Sequence, residues 1–352
     1  MLRALRSFAG IPWTAWTVLA VVVALIATAS PMRRPPPLSE ISITDIALYR
    51  AITASVQAGG DYYDIALSEQ RAHGYPTRPA VTVREPTEAW LLAALRIDWL
   101  RRAVLIVLAL FSVLLVHLAL RRDGIGPATR VAGTILSTSG LVFLLNPAAP
   151  YLHEVWAGFF TMGAIAAWRP NHYASTVALA LAACLFRETS APVLLIMGTF
   201  ALAERRWREA GTWCAAIVIF GLTIGLHLWF ASHRSVPTDG LSPGWLAVGG
   251  WNFILATTKK NIVLSLLPRV WLGAVVALSL IGFAMTRGPW ERRLGAVVLA
   301  YAGLFCFFGQ PYNDYWGFLY APLLPLGLAF APRLLTSLLA TPTRGLIMKL
   351  KM

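Results

Sequence analysis

Charge is the scarcest commodity in this sequence. Of 352 residues only 13% are Asp, Glu, Lys or Arg, about half the ~25% of a soluble domain. Acids are fewer still, 16 Asp and Glu against 30 Lys and Arg. An ordinary water-soluble surface cannot be covered from that supply. Cysteine is almost absent: Cys184, Cys214 and Cys306 all lie in apolar runs without metal-type spacing, and they read as small core residues. No internal repeat occurs, and the only low-complexity tract is Pro35-Pro36-Pro37, a short stiff spacer. No basic stripe with interleaved aromatics accompanies the net charge of +14, so nucleic-acid binding is set aside.

Long apolar runs fill the space that charge leaves. Hydrophobic residues make up 57% of the chain and the mean hydropathy is +0.64. The expected fold class is all-α: a polytopic transmembrane helical bundle forming a single membrane domain of about ten spans. The runs are Trp13–Ser30, Ala103–Leu120, Val131–Ala148, Val155–Trp168, Tyr173–Phe186, Thr189–Ala203, Gly211–Ala231, Val270–Met285, Leu294–Gly309 and Phe318–Ala340. Several fall short of the ~20 residues a perpendicular helix needs, the fourth and fifth most of all.

Loop charge tests the count independently. With Arg3 and Arg6 inside, the inner loops carry Arg121, Arg122 and Arg130, then Arg169, then Arg205, Arg206 and Arg208, then Arg287, Arg292 and Arg293. The tail adds Arg333, Arg344, Lys349 and Lys351. The short outer connections hold one basic residue, Arg187. This positive-inside pattern predicts both termini in the cytoplasm and, in a bacterial-type cell, an inner-membrane protein with its outer loops in the periplasm. The first span also has signal-peptide features, ending in Ala27-Thr28-Ala29, but Pro31 favours a retained helix. Either way the following segment is outside.

That segment, residues 31–102, is a large external loop. Apolar spacing through Ile43, Ile46, Ala47, Arg50, Ala51 and Ala54 predicts an amphipathic helix over Ile41–Ala58, stopped by Gly59-Gly60 and lying along the membrane face. A second helix is predicted over Thr87–Trp99, after Pro86.

In this topology the unusual polar residues share the outer face. Asp45 lies in the first loop, His153-Glu154 opens the fourth span, Arg187-Glu188 interrupts an apolar stretch, and Asn313-Asp314 precedes the last span. Ionisable groups near membrane depth are paired or functional, so the four clusters point to one outward-facing cavity. Plain structural readings stand beside this one: Asp45 as a helix cap, Arg187-Glu188 as a hairpin turn, His153-Glu154 as a boundary marker and Asn313-Asp314 as a turn. Glu204 and Glu209, among arginines, read as a solvated inner loop. Gly221 and Gly225, spaced as GxxxG, read as helix packing.

Three stretches resemble the GT-C-type glycosyltransferases, membrane enzymes that use polyprenyl-phosphate-linked sugars. They are Thr44-Asp45-Ile46-Ala47-Leu48-Tyr49 with Gly59-Gly60-Asp61-Tyr62-Tyr63, then Phe186-Arg187-Glu188-Thr189 with Ala203-Glu204-Arg205-Arg206-Trp207, then Pro311-Tyr312-Asn313-Asp314-Tyr315. The resemblance implies a transferase of the bacterial mannosyltransferase or aminoarabinose-transferase type, inverting, with a polyprenyl-phosphate sugar as donor and a glycan, lipid or protein acceptor. It implies Asp45 as the base, Arg187 on the departing phosphate, and His153, Glu154, Glu188, Asn313 and Asp314 as acceptor-binding or orienting groups. A divalent cation held by His153, Glu154 and Glu188 is the alternative to their orienting role. Where many members have paired acids in the first loop, Asp45 is followed by Ile46, which weakens the metal reading more than the base.

Two other classes compete. A secondary transporter or lipid flippase would place its charges near the midplane on broken helices, often with two similar halves. A non-catalytic scaffold would have no use for Arg187-Glu188 between two spans.

Overall fold

A computed structural model describes residues 13–27 and 45–334 of the chain. Among them the architecture is all-helical, with two isolated β-bridges and no strand. Arg3 and Arg6, the Thr28-to-Pro37 stretch with its cleavage-like and proline-rich features, the start of the first loop helix and the basic tail after Arg333 lie outside the described residues.

In chain order the helices are α1 (Trp13–Ala27), α2 (Asp45–Gln57), α3 (Tyr62–Ala72), α4 (Thr87–Leu95), α5 (Asp98–Arg122), α6 (Pro127–Thr138), α7 (His153–Ala167), α8 (Ala174–Phe186), α9 (Ala191–Ala203), α10 (Trp207–His233), α11 (Gly250–Thr258), α12 (Ile262–Ser265), α13 (Arg269–Ala284), α14 (Pro289–Phe305) and α15 (Leu326–Phe330). Three are long and apolar enough to cross a membrane: α5, α6 with its 3-10 continuation to Leu145, and α10. They mark the chain as a membrane protein. Three shorter apolar helices, Ala174–Phe186, Glu188–Ala203 and Arg269–Ala284, accompany them.

The bundle is organised around α7, whose side chains are buried from His153 to Ala166 except for Phe160. Its sequence explains how so short a helix becomes the hub. In lipid, helix association rests on close packing and hydrogen bonds rather than water exclusion, and α7 carries Ala157, Gly158, Gly163 and Ala164 among its large residues. A side chain at Gly158 would run into the Phe318 carbonyl, so the 3-10 segment Pro311–Leu319 lies directly on this helix. On another side Ser112 of α5 donates to the Phe159 carbonyl at 2.9 Å.

Several expectations require correction. The predicted last span, Phe318–Ala340, is no continuous helix over its described part: turns fill 320–325, and α-helix is present at Leu326–Phe330 and again over 332–334. Pro322 and Pro325 remove two N–H donors there, which breaks the helical ladder. The second loop helix stops at Leu95 instead of reaching Trp99, because Arg96 takes a left-handed φ of 54° before α5 begins. The first loop helix does end at its glycines, with Gly59 at φ 99°. Its buried face, however, is Leu48, Ile52 and Thr53, while Arg50 and Ala54 of the predicted apolar face are exposed. The burial is against α3 and α4 in a small core with Tyr62, Tyr63 and Leu67. Cys214 is exposed, unlike Cys184 and Cys306. A side chain at Gly221 or Gly225 would meet nothing within 4 Å among the described residues, so neither glycine packs on a described neighbour.

Glu209 is buried rather than solvated. Its Oε1 accepts from the indoles of Trp168 at 2.9 Å and Trp213 at 3.2 Å, and its Oε2 lies 3.1 Å from Arg206. Arg293 stacks over Trp168 at 3.7 Å and reaches Glu204 at 2.6 Å. These groups form a knot that ties α10 and α14 to the end of α7.

Candidate functional site

The loop helices are held over the bundle by polar ties that also fix the site. Asp61 caps α3, accepting from the backbone of Tyr63 and Asp64 at 3.0 and 3.1 Å, a contribution of about 1 kcal/mol. Tyr62 donates to the Arg84 carbonyl at 2.6 Å. His227 of α10 joins the Tyr63 hydroxyl at 3.3 Å and the Val83 carbonyl at 3.0 Å. Arg71 grips Asp239 through two bonds of 2.7 and 3.0 Å, which holds the Asp239 carboxyl well below its usual range. The segment Val83–Glu88 is thereby pinned between the loop core and the bundle.

Beneath it the chain breaks at Arg187, whose extended backbone (φ −155°, ψ 111°) separates α8 from the 3-10 turn Glu188–Ser190 that leads into α9. Arg187 is completely buried. Its Nε donates to Glu154 Oε1 at 2.5 Å, its Nη1 pairs with Glu188, and its guanidinium lies 5.6 Å from the Trp316 ring. Its Nη2 is buried without a hydrogen-bond partner. Arg84 approaches the same Glu188 oxygen at 3.8 Å through Nη1, likewise without a hydrogen-bond partner, while its Nε donates to Tyr49 at 3.2 Å. Two guanidiniums thus share one carboxylate.

His153 stands against Glu88, with 2.6 Å between Nδ1 and Oε2, and its ring meets Tyr49 edge-on at 4.7 Å. Glu85 is buried with Oε1 unpartnered. Burial, reinforced by Glu188 and opposed by Arg187, pushes the Glu85 carboxyl up to about 9. Burial and then Glu154 push Glu88 well above the carboxylate range. Glu85 is therefore neutral at pH 7, and the carboxylates in contact with the guanidiniums are those of Glu154 and Glu188.

Asp45 begins α2 and is half-buried, with the Tyr75 hydroxyl donating to it. Tyr49 and Tyr315 lie within electrostatic reach of both Asp45 and Glu154, and exposed Tyr312 lies within reach of Asp45. Tyr49 and Tyr315 are thus neighbours of both Asp45 and the buried cluster. Asn313 is buried and ties its own turn, accepting from Gln310 N at 3.0 Å and meeting Tyr315 at 3.5 Å. Asp314 pairs with Lys260 at 2.8 Å.

An apolar groove of about 480 Å³ runs between α4, α5, α7 and α8, with Leu91, Val107, Phe111, Trp156, Phe160 and Phe186 on its walls. It closes on the cluster from behind. Phe186 adjoins Arg187, Trp156 is two residues from Glu154, and Thr87, also on the wall, adjoins Glu88. A second apolar hollow, of about 380 Å³ between α9 and α14, has none of these charged residues on its lining.

Of the sequence-derived residues, His153, Glu154, Arg187 and Glu188 converge. Asp45 joins them through the tyrosines, and Asp314 has its own lysine. Arg84, Glu85 and Glu88 escaped sequence reasoning because they lie mid-loop rather than at a span end. Three charged residues within five positions of a poorly charged chain, around Pro86, were the available signal. Among the described residues no group of three or more His, Cys, Asp or Glu is arranged to hold a metal ion. Compared with known proteins, the chain matches no family model, no curated protein and no solved structure.

Proposed function

We propose that this chain is a membrane glycosyltransferase that moves a sugar from a polyprenyl-phosphate donor to an acceptor at the outer, periplasmic face of the inner membrane. The proposal includes about ten membrane crossings, several of them short, and cytoplasmic termini. The observation that carries it is the position of Arg187: a buried guanidinium with an unpartnered nitrogen, next in sequence to the wall of an apolar groove and close to tyrosines that also neighbour Asp45. A lipid-phosphate sugar has that same division, an apolar tail, an anionic joint and a polar head.

In this reading the prenyl chain lies along Phe111, Phe160 and Phe186, and the phosphate meets Arg187 and Arg84. The acceptor hydroxyl attacks the anomeric carbon while Asp45 takes its proton. The carbon–oxygen bond to phosphate breaks and its electron pair leaves on the phosphate oxygen, whose charge the guanidiniums stabilise. Inversion at the anomeric carbon follows from a single displacement. His153, Glu154 and Glu188 orient these groups, and Asn313 sets the turn that presents Tyr312 and Tyr315.

The test is transfer of radiolabelled sugar from a panel of polyprenyl-phosphate sugars by purified protein in lipid, beside Asp45→Asn. Transfer that disappears in the variant at unchanged protein abundance supports the assignment. Retained transfer removes Asp45 as base. Absence of transfer from the whole panel, with folded protein and several acceptors, favours a transporter or flippase, and flux assays then decide.

A further inference from the structure

The two carboxylates on Arg187 are not equivalent. The Glu154 side chain is 2% exposed, whereas that of Glu188 is 21% exposed. One is locked beneath the guanidinium, and the other has a way out to water. Glu188 is also the group that stands between Arg187 and Arg84, yet its one shared oxygen is hydrogen-bonded to Arg187 alone. Arg84 Nη1 remains 3.8 Å away, and Arg84 Nη1 and Arg187 Nη2 are buried without hydrogen-bond partners. Buried donors to a charged group are costly to leave unmet. A tetrahedral oxyanion offers more acceptor directions than a carboxylate and matches guanidinium forks.

We propose that Glu188 is a placeholder carboxylate, occupying the seat of a phosphate-ester oxyanion on Arg84 and Arg187 and swinging out to water when that anion binds. The inference rests on reading this site as the phosphate-recognition part of the proposed transferase and adds how the phosphate gains entry. Charge balance agrees with the exchange. With Glu85 neutral, the carboxylates that the two guanidiniums contact are those of Glu154 and Glu188. A singly charged phosphodiester in place of Glu188 leaves that balance unchanged, and the Glu188 charge is solvated outside. Glu154, having no such route, keeps Arg187 fixed throughout.

The experiment uses the full chain in zwitterionic nanodiscs, with dodecyl phosphate and inorganic phosphate as probes. In the wild-type protein, carbodiimide labelling of Glu188, read by peptide mass spectrometry, should rise at least threefold at saturating dodecyl phosphate, while Glu154 stays unlabelled. Glu188→Gln should bind dodecyl phosphate about tenfold more tightly, since the internal competitor is gone, and Arg84→Gln about tenfold more weakly. A dodecyl phosphate affinity well above that of inorganic phosphate identifies a lipid headgroup as the source of the anion. Equal affinities identify free phosphate. Labelling that does not change on saturation, or wild-type affinity in a Glu188→Gln variant that unfolds at the wild-type temperature, overturns the proposal. Because the wild-type labelling arm needs no substitution, a variant that fails to fold leaves the question answerable. The readouts also separate from the transferase reading. Exchange without sugar transfer from any donor removes the transferase and leaves the anion seat. Transfer with unchanged labelling and an unchanged donor KM in Glu188→Gln does the reverse.

Discussion

Replacing Glu85 by Gln should make the protein more stable at alkaline pH and less stable at acidic pH. Glu85 is buried with an unpartnered oxygen, and its carboxyl is raised from 4.5 to about 9. The folded chain therefore holds a proton that the unfolded chain has already lost. A raised acid contributes stability that is complete below the unfolded value and is lost as pH climbs through the folded one. Between roughly pH 5 and 9 this amounts to about 1.4 kcal/mol per pH unit, or about 5 kcal/mol across the range. Gln does not titrate, and its misplaced amide costs about 1 kcal/mol at every pH. The stability curves of variant and wild type should cross near pH 5. The assay is unfolding of purified protein in mild detergent, followed by tryptophan fluorescence in steps of half a pH unit from 5 to 9. Glu88 and the other titrating groups are common to both proteins and cancel in the difference. A stability difference that stays constant over this range would refute the argument and would mean that Glu85 is ionised and solvated in the folded protein.

Arg187→Lys should leave the protein folded and lower kcat/KM for the lipid-phosphate donor at least a hundredfold, because an ammonium cannot hold Glu154, Glu188 and an oxyanion at once; donor kinetics indistinguishable from wild type would make Arg187 purely structural. Arg293→Met should destabilise the protein by about 3 kcal/mol, by stripping Glu204 of its buried partner and Trp168 of its stacked guanidinium, and a thermal-shift series would show a wild-type melting temperature if the knot is incidental. Reporters fused after Arg206 and after Gly240 should read cytoplasmic and external respectively. Swapped signals would break the proposed orientation.

Much of the scaffold was legible because bilayer-length apolar runs carry their own boundaries. Asp98–Arg122 and Trp207–His233 both enclose their predicted runs and end in basic residues or His233. The break at Arg187 was visible because two charges in an apolar stretch have no other lipid-compatible explanation. Illegible were features set by what lies alongside. The loop helix turned Leu48 and Ile52 inward because α3 and α4 cover it, and no apolar period within α2 alone reveals a cover. Glu209 looked solvated because its neighbours are arginines, whereas the two indoles that bind it come from Trp168, distant in sequence, and Trp213, one turn further along α10. The run after Phe318 passes any hydropathy test, but Pro322 and Pro325 decide its backbone, and they deserved more weight than its apolarity.

The brevity of α7 and α8 also has an electrical consequence. Helices of 15 and 13 residues reach about 22 and 20 Å at 1.5 Å per residue, against roughly 30 Å of hydrocarbon. In the proposed topology, where both helices cross the membrane, the bilayer is thinned where these two meet the outer cluster, and the transmembrane voltage falls over a shortened path. An anion that descends about a third of that path from the outside works against a cytoplasm-negative potential. At 100 mV the toll is about 0.8 kcal/mol per charge. On that topology, occupancy of the proposed guanidinium seat depends on membrane energisation, and uncoupled cells would load it about fourfold more readily than respiring ones at the same ligand concentration.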